Sequence, residues 1–193
     1  MPLFTESAVR ARARREMTNF SKTPSAVLIE RVDKQNSERA WDIFLSHAYL
    51  DREMLLGTVL TIEDLGYSVY IDWREDPKLD RTQVTPSTAE VLRDRMRASK
   101  CLFYSVTPNA KESAWMKWEL GWKDGHNNRA AILPIVGETT ETSNEQQFLG
   151  LYFYVSDGTI LESKRNTLWI HRTPRCYVMF DEWLKGKEPT IHG

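Results

Sequence analysis

The segment WDIFLSHAYLDREMLLGTVLTIEDLGYSVYID, residues 41–72, decides the fold of this chain. It begins with an apolar run, Trp41–Ser46, and continues with a helical stretch that Asp51 caps and Gly66 stops. A second apolar run, Tyr67–Ile71, follows that glycine. Strand, helix and strand in this order are typical of a parallel sheet covered by helices, so the segment predicts an α/β domain.

The alternation of apolar runs and helix-length segments continues along the chain. Three more strands are predicted at 101–106, 130–136 and 151–155, and three more helices at 87–99, 112–123 and 175–184. Ser87 and Glu90 have the spacing of a capping box, and Gly125 stands where it could end the helix before it. We therefore expect a doubly wound, flavodoxin-like fold with a central parallel five-stranded sheet flanked by helices.

The composition indicates one folded domain and excludes several kinds of partner. The 193 residues are 41% hydrophobic and 27% charged, with a formal net charge of −1. Without a strong positive field the chain lacks the attraction to phosphates that nucleic-acid binders need, so we expect no nucleic acid partner. The two cysteines, Cys101 and Cys176, favour reduced thiols, and no zinc-ligand spacing is present, so we expect no metal site.

Residues 1–38 differ from the rest in being polar and mixed in charge. We interpret them as an N-terminal extension with a helix near 6–19, followed by a domain over 39–187 and a tail over 188–193. The arginines at positions 10, 12, 14 and 15 could contact an anionic membrane or a partner, but the interspersed glutamates favour a solvated helix face. No apolar stretch approaches the length of a membrane span, so we expect no span and a cytoplasmic location.

The carboxyl ends of the predicted strands lie near Ser46, Asp72 and Val106. Doubly wound sheets bind their ligands beyond these ends, where side chains reach a ligand rather than the core. Next to Ser46, His47 could carry a proton at neutral pH, or it could be a hydrogen-bonded rim residue without a catalytic task. Both interpretations stay open at this point.

A long polar loop starts with Asp72, Trp73 and Arg74 and runs to Thr85. Aspartate suits ribose hydroxyls, and arginine suits phosphates. Loops of this length are uncommon in compact domains unless they bind or gate something, which indicates a substrate lid or an interaction loop. A surface loop held by salt bridges is the alternative.

The helix predicted at 112–123 carries a glutamate among tryptophans. Its 3.6-residue period brings Trp115, Trp118, Glu119 and Trp122 within about 100° of one another around the axis. A carboxylate in such surroundings is costly unless it is paired or functional. Glu119 could instead lie at the edge of the buried stripe and pair with a surface cation. Trp115 could stack on a flat ring such as nicotinamide or adenine, although tryptophans more often belong to the core.

Several reaction classes lack their motifs. The order of residues needed for a Ser-His-Asp triad is missing, and no serine has the flanking glycines of a nucleophile elbow. The chain also has no GxGxxG or phosphate-loop sequence, so a nicotinamide dehydrogenase and a P-loop nucleotidase are excluded.

Taken together, three separated boxes resemble the TIR (Toll/interleukin-1 receptor) family over about residues 40–185. WDIFLSH, Trp41–His47, resembles the first box of the family, and GYSVYIDW, Gly66–Trp73, resembles the second strand that leads into the exposed BB loop. SAWMKWEL, Ser113–Leu120, resembles the third box, in which enzymatic members place a tryptophan four residues before the glutamate needed for NAD cleavage. The order and spacing of these boxes carry the resemblance.

The resemblance implies a TIR domain that cleaves the bond between nicotinamide and ribose in NAD, with Glu119 as the catalytic residue. It implies further that Ser46, His47, Tyr49, Asp72, Trp73, Arg74 and Trp115 surround the dinucleotide. NAD would be the substrate, and no cofactor is expected. The charged loop REDPKLDRTQVTP does not resemble the BB loop of animal adaptor proteins.

A short TIR protein of this kind looks like the bacterial anti-phage sensors of the Thoeris type. The resemblance implies a homo-oligomer formed through contacts between TIR domains and a cyclic or conjugated ADP-ribose signal. A separate effector protein would be reached through this signal. Two alternatives remain: a TIR module that only makes protein contacts, and another N-glycosidic enzyme similar to the nucleoside deoxyribosyltransferases.

Overall fold

The computed structural model describes residues 4–35, 40–47, 52–71, 85–107, 114–137 and 150–192. Its helices are α1 (Glu6–Phe20), α2 (Pro24–Gln35), α3 (Arg52–Asp64), α4 (Pro86–Arg97), α5 (Ala114–Asn127) and α6 (Phe180–Leu184). Its strands are β1 (Phe4–Thr5), β2 (Trp41–Ser46), β3 (Val69–Tyr70), β4 (Ser99–Val106), β5 (Ala130–Val136), β6 (Phe153–Thr159), β7 (Asn166–Thr173), β8 (Cys176–Met179) and β9 (Thr190–Ile191).

The strands form one sheet in the order β3-β2-β4-β5-β6-β7-β8-β9, and β1 pairs separately with β5. Neighbours from β3 to β6 are parallel, which confirms the predicted five-stranded parallel centre. Beyond β6 the pairing becomes antiparallel, and β1 pairs in parallel with the carboxyl end of β5. The complete sheet therefore has nine strands in the described residues, four more than expected.

Both faces of the parallel centre are buried, and β2 shows how the strand period produces this. Ile43 and Leu45 belong to one apolar cluster, which also includes residues of α1, α3 and α6. Phe44, between them in sequence, belongs to the opposite cluster, with Leu92 of α4 and Leu120 of α5. Successive strand residues point to opposite faces, so a continuous apolar run covers both.

Two helix ends differ from the predicted ones. Thr85, not Ser87, is the N-cap of α4, and its side chain accepts a hydrogen bond from the Thr88 amide at 3.2 Å. Pro86 is the first residue of the helix, a position that proline favours. Helix α5 continues through Gly125 to Asn127. It stops where Asn128 adopts a left-handed conformation with φ of 53°, which asparagine tolerates at this position.

The predicted helix at 175–184 is wrong in its first half. Residues Cys176–Met179 form strand β8, and only Phe180–Leu184 are helical. Strand β7, which sequence analysis missed, pairs with both β6 and β8. Residues 176–179 are extended because they pair with β7, and this tertiary pairing outweighs their local helix propensity.

The N-terminal residues pack closely against the rest of the chain. Helix α1 crosses α3 at Gly57, where a Cβ atom would lie 1.8 Å from the backbone oxygen of Val9. Arg10 and Arg14 donate hydrogen bonds to Glu53 of α3, and Arg12 donates two to Asp64. The interpretation of this basic stretch as a solvated face holds for Arg14 and Arg15, which are exposed, whereas Arg10 and Arg12 are half-buried against carboxylates of α3.

Candidate functional site

The site begins with a pair of buried polar side chains at the carboxyl end of β2. The Ser46 hydroxyl donates a hydrogen bond of 2.6 Å to Oε2 of Glu119 on α5. Both residues are completely shielded from solvent. A hydrogen bond of this length satisfies one oxygen of the carboxyl group in a place where an unpaired one would be costly. The fold thus brings together two residues that are 73 positions apart.

The position of Glu119 differs from the edge position considered in the sequence analysis. Met116, Leu120 and Lys123 form the buried side of α5 together with Glu119. By contrast, the three tryptophans of the helix, Trp115, Trp118 and Trp122, are half-buried. The carboxylate therefore belongs to the face that meets the sheet, which explains why it reaches β2.

The outer side of α5 is covered in part by arginines of α4. Arg93 lies over the ring of Trp118 and Arg97 over that of Trp122, at 5.5 Å and 5.7 Å from the ring centroids. Trp115 packs edge-on against Trp118 with the ring centroids 5.4 Å apart. Trp118 and Trp122 thus serve the packing of α5 against α4.

His47 and Trp115 lie near this pair in the chain. His47 follows Ser46 directly and is 4% exposed. Trp115 precedes Glu119 by one helical turn and is half-buried. The other sequence-predicted site residues, Tyr49, Asp72, Trp73 and Arg74, lie outside the described residues. The structure therefore shows a direct hydrogen bond between Ser46 and Glu119. His47 is the next residue after Ser46, and Trp115 lies one turn before Glu119.

Sequence analysis missed one buried charged residue, Lys123. Its Nζ donates hydrogen bonds to the backbone oxygens of Met96 at 2.8 Å and Ser99 at 2.6 Å. The side chain is fully buried, and this burial lowers the pKa of its ammonium group to about 8. The signal in the sequence was its position four residues after Glu119, which places both side chains on one helix face.

The described part of the chain shows neither a metal site nor a membrane span. Within it, no group of three or more His, Cys, Asp or Glu side chains is arranged to hold a metal ion. None of the helices described here has the length and apolarity needed to cross a membrane. What the site offers is a buried carboxylate oriented by a hydroxyl at the ligand-binding edge of a parallel sheet.

Comparison with known proteins identifies the family. No family model matches the chain. It is 41% identical, over 191 residues, to the "Probable 3′ cyclic ADP-D-ribose synthase ThsB′" of Bacillus cereus (strain MSX-D12), covering 96% of this chain and 99% of that protein. It is 32% identical, over 136 residues, to the "Putative cyclic ADP-D-ribose synthase TIR2" of Cytobacillus dafuensis, covering 69% of this chain and 36% of that longer protein. The chain therefore belongs to the bacterial TIR-domain family of Thoeris proteins.

Proposed function

We propose that the protein cleaves the nicotinamide–ribose bond of NAD and converts the remainder into an ADP-ribose-derived signal, as an NAD nucleosidase and ADP-ribosyl cyclase. The buried hydrogen bond between Ser46 and Glu119 is the observation that carries this proposal. It holds a carboxylate at the edge where doubly wound sheets bind their ligands. Two relatives named as cyclic ADP-D-ribose synthases support the same reaction.

The chemistry needs a negative charge more than it needs an acid. When the bond between ribose C1′ and the pyridinium nitrogen breaks, its electron pair leaves with nicotinamide, which becomes neutral. Positive charge develops on the ribose in an oxocarbenium-like transition state. A carboxylate that is already oriented stabilises this charge without having to reorganise, which is the role that we assign to Glu119.

The acceptor that attacks C1′ determines the product. Water would give ADP-ribose and release a proton. A hydroxyl of the same molecule would give a cyclic isomer, and again the attacking oxygen would lose its proton. The names of the relatives favour the cyclic outcome for this chain.

The remaining residues have roles around the dinucleotide in this proposal. Ser46 orients the Glu119 carboxylate, His47 lies at the rim of the sheet, and Trp115 offers a ring on which nicotinamide or adenine stacks. Tyr49, Asp72, Trp73 and Arg74 complete the binding site, with Asp72 suited to ribose hydroxyls and Arg74 to phosphates.

We further propose an anti-phage role in the cytoplasm. The nucleotide product would reach a separate effector protein, and TIR domains of several copies would associate to form the active enzyme. No bound cofactor takes part in this scheme, because NAD itself is the substrate.

The test is liquid chromatography with mass detection after incubation of NAD with concentrated protein. The wild type should release nicotinamide and a second adenine-containing product. Glu119→Gln, which removes the charge while keeping the shape, should reduce release by about 100-fold or more. Glu90→Gln is the matched control, because Glu90 is ion-paired to arginines on the exposed side of α4.

Three other results would contradict the proposal. A folded Glu119→Gln protein that turns over NAD normally would remove Glu119 from the mechanism. Cleavage of free nucleosides instead of NAD would indicate the deoxyribosyltransferase-like alternative. Absence of NAD consumption by the wild type, also in phage-infected cells, would favour a TIR module that only makes protein contacts.

A further inference from the structure

Lys123 is a buried charge that the reaction itself does not use. Its side chain is fully buried, and its ammonium group bonds to the backbone of Met96, a residue of the apolar cluster between α4, α5 and the sheet. Burial of an ammonium group costs free energy, and a methionine of similar length could fill the same space without that cost. A lysine at this position therefore calls for a role other than packing.

The two hydrogen bonds of Lys123 connect three elements of the fold. Lys123 itself belongs to α5, Met96 lies in the last turn of α4, and Ser99 is the first residue of β4. A cation at the C-terminal end of a helix also interacts favourably with the helix dipole. The side chain thus fixes α5 to the amino end of the central strand β4.

Glu119 holds the same helix at the opposite edge of the sheet. Its partner Ser46 pairs with Tyr104 of β4, whereas Ser99 pairs with Trp41 at the beginning of β2. The five residue steps from Ser99 to Tyr104 span about 16 Å of strand. Glu119 and Lys123 are only about 6 Å apart along the helix, so the lengths of the two side chains have to cover the remaining distance between their partners.

This arrangement restricts the movement of α5 along the sheet. A shift of α5 towards one end of β4 lengthens the hydrogen bonds that it makes at the other end. A displacement by one helical residue, about 1.5 Å, would break either the bond between Glu119 and Ser46 or the two bonds of Lys123. We propose that Lys123 is a positioning residue for Glu119: its hydrogen bonds to Met96 and Ser99 set the axial position of α5 and thereby hold the Glu119 carboxylate on Ser46. This inference rests on the proposed function of Glu119.

The experiment compares Lys123→Met with the wild type and with Ser99→Ala. The methionine variant keeps the length of the side chain but loses both hydrogen bonds. Ser99→Ala is the matched control, because the Ser99 hydroxyl donates to the Arg95 oxygen in the same helix end while the Ser99 backbone oxygen stays available to Lys123. Thermal unfolding verifies that each variant is folded.

We expect kcat for nicotinamide release to fall by about 10- to 100-fold in Lys123→Met, because small misplacements of a catalytic group have effects of this size. The KM for NAD should change by less than about threefold, since binding contacts are retained. Ser99→Ala should stay within about threefold of the wild type in both constants. Normal kcat in Lys123→Met, or an equal loss in Ser99→Ala, would overturn the proposal.

Hydrogen exchange of the α5 amides tests the positioning role without reference to activity. We expect faster exchange in α5 for Lys123→Met and unchanged exchange for Ser99→Ala. If the wild type releases no nicotinamide, the proposed function fails, and this exchange measurement still decides whether Lys123 fixes α5. Unchanged exchange in Lys123→Met would overturn the inference. Should Lys123→Met fail to fold, Lys123→Gln, which keeps a donor for one of the carbonyls, is measured by the same criteria.

Discussion

The contact between α1 and α3 at Gly57 allows a stability prediction whose sign opposes local propensity. In an exposed helix, replacing glycine with alanine stabilises by about 1 kcal/mol. At Gly57 the added Cβ would lie 1.8 Å from the oxygen and 2.5 Å from the carbonyl carbon of Val9. Both are backbone atoms, so no rotamer change relieves the overlap, and α1 has to move away from α3.

The magnitude follows from what this movement disturbs. Val9 and Ala13 are buried against the sheet cluster, and Arg10, Arg12 and Arg14 bond to carboxylates of α3. Overpacking of this kind costs about 1 to 3 kcal/mol, and the overlap with rigid backbone places Gly57→Ala at the upper end. In a protein of this size, the loss lowers Tm by about 5 to 10 °C.

Gly121→Ala in α5 provides the matched control. It is also a helical glycine, but a Cβ there meets no atom within 4 Å. We expect Gly121→Ala to leave the protein as stable as before or to stabilise it by about 0.5–1 kcal/mol. Urea unfolding of both variants, followed by circular dichroism, measures the difference. Equal or higher stability of Gly57→Ala would refute the close packing of α1 on α3.

Three further predictions concern pH and the site. Burial lowers the pKa of Lys123 to about 8, so between pH 8 and about 10.5 the folded protein binds fewer protons than the unfolded chain and its stability rises with pH. Urea unfolding at several pH values compares the free energy of unfolding of wild type with that of Lys123→Met. The wild type should gain up to about 3 kcal/mol relative to the variant across this window, and a difference that stays constant with pH would contradict the prediction. The hydrogen bond from Arg12 lowers the pKa of Asp64, so this pair stabilises the fold above the usual aspartate range and loses that contribution as pH falls through the lowered value. Asp64→Asn should therefore reduce stability at neutral pH and flatten the acid side of the Tm profile, whereas an unchanged profile would show that the pair contributes nothing. Ser46→Ala should lower kcat for nicotinamide release by about tenfold through the lost hydrogen bond to Glu119, as steady-state assays with NAD would show, unless Ser46 has no part in orienting the carboxylate.

Much of the central fold could be predicted because its signals are local. The apolar runs at Trp41–Ser46 and Ala130–Val136 are strands β2 and β5 with the predicted bounds. Gly66 has φ of 93°, a conformation that glycine adopts easily, and it ends the α3 segment as expected. A continuous apolar run that is buried on both faces is strong evidence of a parallel strand.

The peripheral elements could not be predicted, since their conformation depends on distant partners. Strand β1 has two residues and exists through its pairing with Ile135 and Val136 of β5. Strand β8 was interpreted as helix because its sequence is ambiguous without β7 beside it. The boundary of the N-terminal extension at residue 38 stays a prediction.

For the site, the sequence by itself predicted which residues carry chemistry, and those roles stay predictions. The tryptophan and glutamate spacing of α5, together with the ends of the strands, singled out Glu119, Trp115, Ser46 and His47. Only the tertiary structure decided that Glu119 is buried and bonded to Ser46, and that Lys123, one turn later, is bonded to the backbone of Met96 and Ser99. The reason is physical: helical period fixes which side chains share a face, but the sheet on which that face packs decides which of them are removed from water and which partners they meet.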